Sequence, residues 1–224
     1  MNLTHGYSAA QVRAAEQPLL DAGEPLMLRA ATGLAGEVLR RLGDPVGRRV
    51  LVLAGAGNNG GDALYAAATL AEHGALVTVV PLGERLHEGG LAAAREAGAV
   101  VVDRADAAAH AERCDVVLDG ILGTGAAASP ALREPARSLV AGLIGVLARR
   151  DIRPLVVAVD LPSGTGADDG SVHEPVLRAD VTVTLGALKA GLLLPPAADV
   201  AGEVVLVDIG LGPQLAGVEP LVRS

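Results

Sequence analysis

Apolar runs rich in valine recur along the chain, at residues 50–54, 76–82, 99–102, 116–118, 155–159 and 181–185, with a further one at 204–207. Alanine-rich segments with apolar residues at helical spacing separate them, notably residues 63–73, 91–97 and 131–147. A short continuous apolar run reads as a strand buried on both faces, and strands alternating with helices read as parallel crossover units. The alternation therefore predicts an α/β fold, a largely parallel sheet between two helical layers. The first 45 residues break the pattern. Ser8 is placed to cap a helix running to residue 20, and Pro25 to open a second one running to residue 42, so a helical amino-terminal lead-in precedes the sheet. No internal repeat, linker or charge block divides the 224 residues, and one domain over residues 1–224 is expected.

The core of such a sheet must here be built from small side chains. Half of the residues are apolar, yet Phe and Trp are absent and Tyr appears only at Tyr7 and Tyr65, so Ala, Val, Leu and Gly fill the interior. A formal charge of −8 and a pI near 5.1 supply no broad positive field for nucleic acid or an anionic membrane surface. Charged residues or proline interrupt every apolar stretch before it reaches the roughly 18 residues of a spanning helix. The single Cys114 excludes an internal disulfide, and residues 1–8 lack the pattern of a secretory signal. A soluble protein of the reducing cytoplasm is expected.

Directly after the first strand the chain reads Gly55, Ala56, Gly57, Asn58, Asn59, Gly60, Gly61, Asp62, and a helical pattern follows. Glycines there admit positive φ and let backbone amides approach a ligand, while a helix amino terminus offers unpaired N–H groups to phosphate. Gly55, Gly57 and Gly60 have the spacing of a dinucleotide fingerprint, which also expects an acidic residue about 20 positions on. That residue is missing, because the second strand ends in Pro81, Leu82 and Gly83 with Glu84 beyond it. The plain alternative is a tight turn in which Asp62 stabilises the helix start. The pair Asn58 and Asn59 followed by two glycines offers more polar surface than such a turn requires.

Two later strands end in carboxylates. Asp119 leads into Gly123, Thr124 and Gly125, and Asp160 leads into Leu161, Pro162, Ser163 and Gly164. In the common doubly wound order the first strand lies beside the fourth, and ligands bind in the crevice above that switch point. Asn59, Asp119 and Ser163 would converge there. All three carry oxygen donors, a set that suits a hard cation, a monovalent one among the options, whereas no His and Cys spacing suits zinc. The bland alternative has Asp119 and Asp160 bonding only neighbouring loop amides.

Taken in order, these segments resemble the NAD(P)H-hydrate epimerase family, also called the YjeF amino-terminal domain family. The resemblance runs from Tyr7, Ser8, Leu26, Met27, Arg29 and Ala30 through the loops just quoted to Thr184, Leu185, Lys189 to Gly191 and Val207 to Gly210. It implies a Rossmann-like three-layer α/β/α sandwich. It also implies epimerisation of the R and S hydrates of NADH and NADPH (NADHX and NADPHX) at C6 of the nicotinamide ring, and a bound potassium ion. Carried over by position, Asn58, Asn59, Gly60, Gly61 and Asp62 would contact the dinucleotide, as would Gly123, Thr124, Gly125, Ala126, Ala127, Ala128, Ser129 and Asp160. Asn59, Asp119 and Ser163 would hold potassium. Ala56 and Ala63 stand where the family often has Pro and Gly. Family domains are often fused to an NAD(P)H-hydrate dehydratase, so a dehydratase is the implied partner, and a homodimer is the family-level expectation.

Epimerising C6 requires the hydroxyl to leave one ring face and return to the other, through a planar iminium or through ring opening. Asp160, beside the cation loop, is the expected acid–base residue, with Asp62 its rival. Lys189 is read first as covering the sheet edge with its aliphatic stem, a phosphate contact being the alternative. The five histidines show no ligand spacing. Two other classes compete. A non-catalytic binding or scaffold module is opposed by the joint presence of Asn59, Asp119, Asp160 and Ser163, and a nicotinamide dehydrogenase by the missing acidic residue after the second strand.

Overall fold

In the computed structural model, which describes residues 4–126 and 128–223, the lead-in and the strand–helix alternation both form. A short strand β1 (His5–Gly6) precedes helices α1 (Ala9–Asp21) and α2 (Leu26–Leu42). Ser8 caps α1 reciprocally: its hydroxyl accepts from the Gln11 N–H at 3.1 Å, and the Gln11 side chain accepts from the Ser8 N–H at 2.8 Å. The chain continues through β2 (Arg49–Ala54), α3 (Asn58–Glu72), β3 (Leu76–Pro81), α4 (Glu88–Glu96) and β4 (Val100–Val101). Then come α5 (Ala107–Ala111), β5 (Val116–Gly120), α6 (Ala136–Ala148), β6 (Leu155–Val159) and β7 (Val181–Leu185). The short elements α7 (Ala198–Ala201), β8 (Glu203–Val207), α8 (Gly212–Leu215) and β9 (Val222–Arg223) follow.

Seven strands form one parallel sheet in the order β4-β3-β2-β5-β6-β7-β8, and β1 pairs antiparallel with β9 apart from it. The order reverses between β2 and β5, where Leu53 lies opposite Asp119. Strand residues alternate between two cores. Val50, Val52 and Ala54 of β2 join Val116 and Leu118 of β5 in a cluster with α2 and α3, whereas Leu51, Leu53 and Val117 face α5 and α6. Burial on both faces is why the strands read as unbroken apolar runs. Among the described residues no helix is long and apolar enough to cross a membrane.

Two helix starts differ from the sequence expectation. Helix α6 begins at Ala136 instead of residue 131, because Pro135 cannot continue a helix and disfavours helical geometry at Glu134 before it. Helix α3 begins at Asn58, five residues before the expected 63, so Asn58 to Asp62 form its first turn and not a loop. Two glycines argue against helix on propensity alone, but close packing overrides that preference. A Cβ on Gly60 would stand 2.1 Å from the Gly55 carbonyl oxygen, and one on Gly55 would stand 2.0 Å from that of Ile121. Only glycine lets the strand end, the helix start and the chain after β5 meet so closely.

Candidate active site

Above the β2/β5 reversal lies a cavity of about 550 Å³, within the range that holds small-molecule ligands. The turn after β2, the first turn of α3 and the chain after β5 line it, and α1 and α2 supply a further wall. Asn58 and Asn59 open into it from the helix start, where N–H groups lack intrahelical partners and the helix dipole favours an anion.

Asp160 follows the end of β6 with φ 67°, the one non-glycine residue at positive φ among the described residues. Aspartate tolerates that region at some cost, and the surroundings hold it there. Its Oδ2 accepts from the Thr124 N–H at 3.2 Å. Its Oδ1 accepts from the Lys189 ammonium, from the Leu185 N–H at 3.2 Å and from the Thr184 hydroxyl at 3.4 Å. Lys189 is 1% exposed and also donates to the Thr184 hydroxyl at 3.2 Å and to the Leu185 carbonyl. The reading of Lys189 as an edge-covering lysine is thus corrected: a fully buried ammonium needs a counter-charge, and Asp160 provides it.

Two more carboxylates open into the cavity from α3 and α1. Asp62 is 8% exposed, and its side chain makes no hydrogen bond or ion pair among the described residues. Burial, reinforced by the Asp160 charge and opposed by Lys189, pushes its carboxyl up to about 8. Glu16 is half-buried, and burial again is the main cause that raises it above its ordinary value, with Lys189 and Asp160 acting in opposite directions.

Below the cavity, Asp119 is 1% exposed. Its Oδ1 accepts from the Ser163 hydroxyl at 2.6 Å and the Ile121 N–H at 3.3 Å, and its Oδ2 from the Ser163 N–H at 3.0 Å. Burial raises this carboxyl, and no cationic side chain pairs with it among the described residues. The Asn59 side chain packs against Gly123, and its buried Nδ2 has no partner among the described residues. Turning that amide over, an assignment that hydrogen-bond networks decide, puts its oxygen at the orphaned end. A buried carboxylate short of positive charge, beside an amide and a hydroxyl, fits a hard cation with oxygen ligands. No group of three or more His, Cys, Asp or Glu is gathered to hold a metal among the described residues.

The family model for the YjeF-related protein N-terminus matches residues 23–191. The chain belongs to this YjeF-related family. NAD(P)H-hydrate epimerase of Clavibacter sepedonicus is 51% identical, with 100% of this chain and 97% of that protein covered. The protein of the same name from Microbacterium testaceum is 50% identical over 97% of this chain and 83% of its own length. The bifunctional NAD(P)H-hydrate repair enzyme Nnr of Mycobacterium tuberculosis is 42% identical over 93% of this chain, which spans 42% of that longer protein. The crystal structure of yeast ynu0, 24% identical, matches with a TM-score of 0.71 over 83% of this chain and 82% of that one, and shares the fold.

Within this YjeF-related site the residues singled out from the sequence fall into three groups. Asn58, Asn59, Asp62, Gly123, Thr124, Gly125, Ala126 and Asp160 line the cavity. Gly60 and Gly61 pack behind it, Gly61 against Met27 and His87, while Asp119 and Ser163 lie beneath. Ala128 and Ser129 are exposed beyond the lining, Ser129 accepting from Arg133 at 3.3 Å, and Ala127 lies outside the described residues. Lys189, Glu16 and Arg13 are the charged lining residues whose place at the cavity sequence reasoning did not favour. One signal was available for the first. Lys189 is the only lysine in a chain with 17 arginines, the single position where a compact, titratable ammonium replaces a guanidinium.

Proposed function

We infer that the chain is an NAD(P)H-hydrate epimerase, an isomerase that interconverts the R and S hydrates of NADH and NADPH at C6 of the damaged ring and so serves nicotinamide nucleotide repair. One observation carries the inference: relatives of that name are 50–51% identical along nearly the whole chain.

The cavity supports the same chemistry. As the C6–O bond breaks, its electron pair leaves with the oxygen, which takes up a proton and departs as water, while the N1 lone pair closes an N1=C6 iminium. Water then adds to the opposite face and gives up a proton, restoring the balance. One proton donor and one acceptor are needed, and microscopic reversal exchanges them. Asp62, pushed up to about 8, carries a proton at neutral pH and gives it to the departing oxygen. Asp160, matched by the Lys189 charge, takes the proton from the returning water. A carboxyl that burial keeps protonated, facing a carboxylate that a buried ammonium pairs, is the pattern of an acid–base pair, and each positioned transfer is worth about 10²–10⁴ in rate. Asn58 and Asn59 at the start of α3 and the segment from Gly123 hold the dinucleotide, with phosphate at the α3 amino terminus and Gly60 and Gly61 letting the helix start pack closely behind them.

Asn59, Asp119 and Ser163 would hold a potassium ion, whose fixed positive charge would offset the buried Asp119 carboxylate. The Nnr relatives are named bifunctional repair enzymes, which supports a dehydratase as a functional partner for this chain. A cytoplasmic homodimer completes the reading, the free and buried Cys114 being in keeping with a reducing compartment.

The test is the rate at which the purified protein equilibrates chromatographically separated R and S hydrates of NADH. Acceleration over the uncatalysed rate, faster in potassium than in tetramethylammonium, is expected. A folded protein that does not accelerate the exchange overturns the reading.

A further inference from the structure

Five titratable side chains line the cavity: Arg13, Glu16, Asp62, Asp160 and Lys189. With Asp62 holding its proton, the two cations and the two carboxylates offset one another formally, but they are not all paired. Lys189 is committed to Asp160, and the Arg13 guanidinium is exposed and turned back along its own helix, its Nε donating to the Ala9 carbonyl at 3.3 Å. Asp62 and Glu16 are left without a hydrogen bond or ion pair to their side chains among the described residues. Asp62 is more than nine-tenths buried and opens into the cavity, so the space is built to receive a group that partners carboxylates. Glu16 belongs to α1, the lead-in helix, and none of the strand-end loops contributes it.

Resting on the epimerase reading, we propose that Glu16 is a further catalytic residue, whose carboxylate faces the nicotinamide ring and stabilises the positive charge that develops on it when the C6 hydroxyl departs. The hydrate is neutral at its ring and the iminium is cationic, so a fixed negative charge lowers the barrier without tightening ground-state binding. Its position supports this role, because a half-buried carboxylate that makes no ion pair of its own is less screened by water than one on the open surface and interacts more strongly with a cation that forms beside it. The wall that α1 adds to the sheet cleft is on this view part of the reaction centre. The iminium forms and collapses between Glu16 on that wall and the proton-handling pair Asp62 and Asp160.

Glu16→Gln keeps the shape and removes the charge, and Glu16→Asp keeps the charge on a shorter stem. In Glu16→Gln, kcat for hydrate exchange is expected to fall roughly tenfold or more while KM stays within about twofold, with partial recovery in Glu16→Asp. A second readout needs no turnover. The oxidised nicotinamide ring of NAD⁺ is a planar cation and that of NADH is neutral, so Glu16→Gln should weaken NAD⁺ binding about tenfold and leave NADH binding unchanged. Unchanged kcat in an active protein overturns the proposal for Glu16 alone, as does an equal loss for NAD⁺ and NADH, which would mark a simple binding wall. A wild-type protein without epimerase activity overturns both the function and this inference.

Discussion

Lys189 and Asp160 stand 29 residues apart in the chain and form an ion pair whose side chains are 1% and 7% exposed. A buried pair of this kind contributes little net stability, since desolving both charges cancels most of their attraction. Removing one partner is another matter, because it strands the other charge. Lys189→Met and Asp160→Asn are each expected to cost about 3–5 kcal/mol in urea unfolding, and the double variant to recover much of that loss. Additive losses in the double variant would show that the two groups are not coupled. Asp160→Asn should also lower hydrate exchange by about 10²–10⁴.

Asp62 makes stability depend on pH in a definite direction. Its carboxyl moves from 3.8 to about 8 on folding, so between those values the folded protein binds a proton that the unfolded chain does not. The contribution is therefore complete below about pH 4 and is lost as pH rises through about 8, a change on the order of a few kcal/mol. Asp62→Asn abolishes this component, so the variant should gain on the wild type steadily from pH 5 to pH 9 in unfolding free energy. A constant difference across that range would mean that Asp62 titrates alike in both states. Hydrate exchange by the wild type should decline above about pH 8, as the proton donor is lost.

The fold was largely legible because its signal is local. A strand buried on both faces must be apolar throughout, so β6 and β7 could be bounded to the residue from composition alone. The strand order followed from the general behaviour of doubly wound sheets; Asp119 and Ser163 meet at a hydrogen bond, and Asn59 lines the cavity. What stayed hidden was nonlocal. Nothing near Lys189 in sequence announces Asp160, and nothing in α1 announces that Glu16 reaches the cavity. The early start of α3 was masked by Gly60 and Gly61, whose poor helix propensity is outweighed by a backbone approach that only the folded chain reveals.

That approach can be separated from helix propensity by comparing glycines. At Gly55 and Gly60 a Cβ meets a carbonyl oxygen at 2.0 and 2.1 Å, so either alanine substitution forces backbone apart and should cost about 3 kcal/mol or more. Gly142, exposed in the interior of α6, has nothing within 4 Å of its Cβ position. Gly142→Ala should instead stabilise by about 0.5–1 kcal/mol, through a less flexible unfolded chain. Thermal unfolding of the three variants reads both signs at once, and a neutral Gly60→Ala would contradict the close packing of the α3 start against Gly55.

The proposed cation site can be read without any substrate. Asp119 is buried, its carboxyl raised by desolvation, with only the Ser163 hydroxyl and backbone N–H groups to hold it. A cation that binds the folded protein alone adds stability by mass action, about 2.7 kcal/mol at a hundred times its dissociation constant. For a chain of this size that is a rise of roughly 5–10 °C in the unfolding midpoint. The midpoint should therefore be higher in potassium chloride than in tetramethylammonium chloride at equal ionic strength, where surface screening is the same. Asp119→Asn removes the charge that attracts the ion and should bring the two midpoints together, and Ser163→Ala should narrow the gap by removing one oxygen donor. Equal midpoints for the wild type in the two salts would leave Asp119 as a carboxyl satisfied by Ser163 and the Ile121 N–H, and would remove potassium from the site.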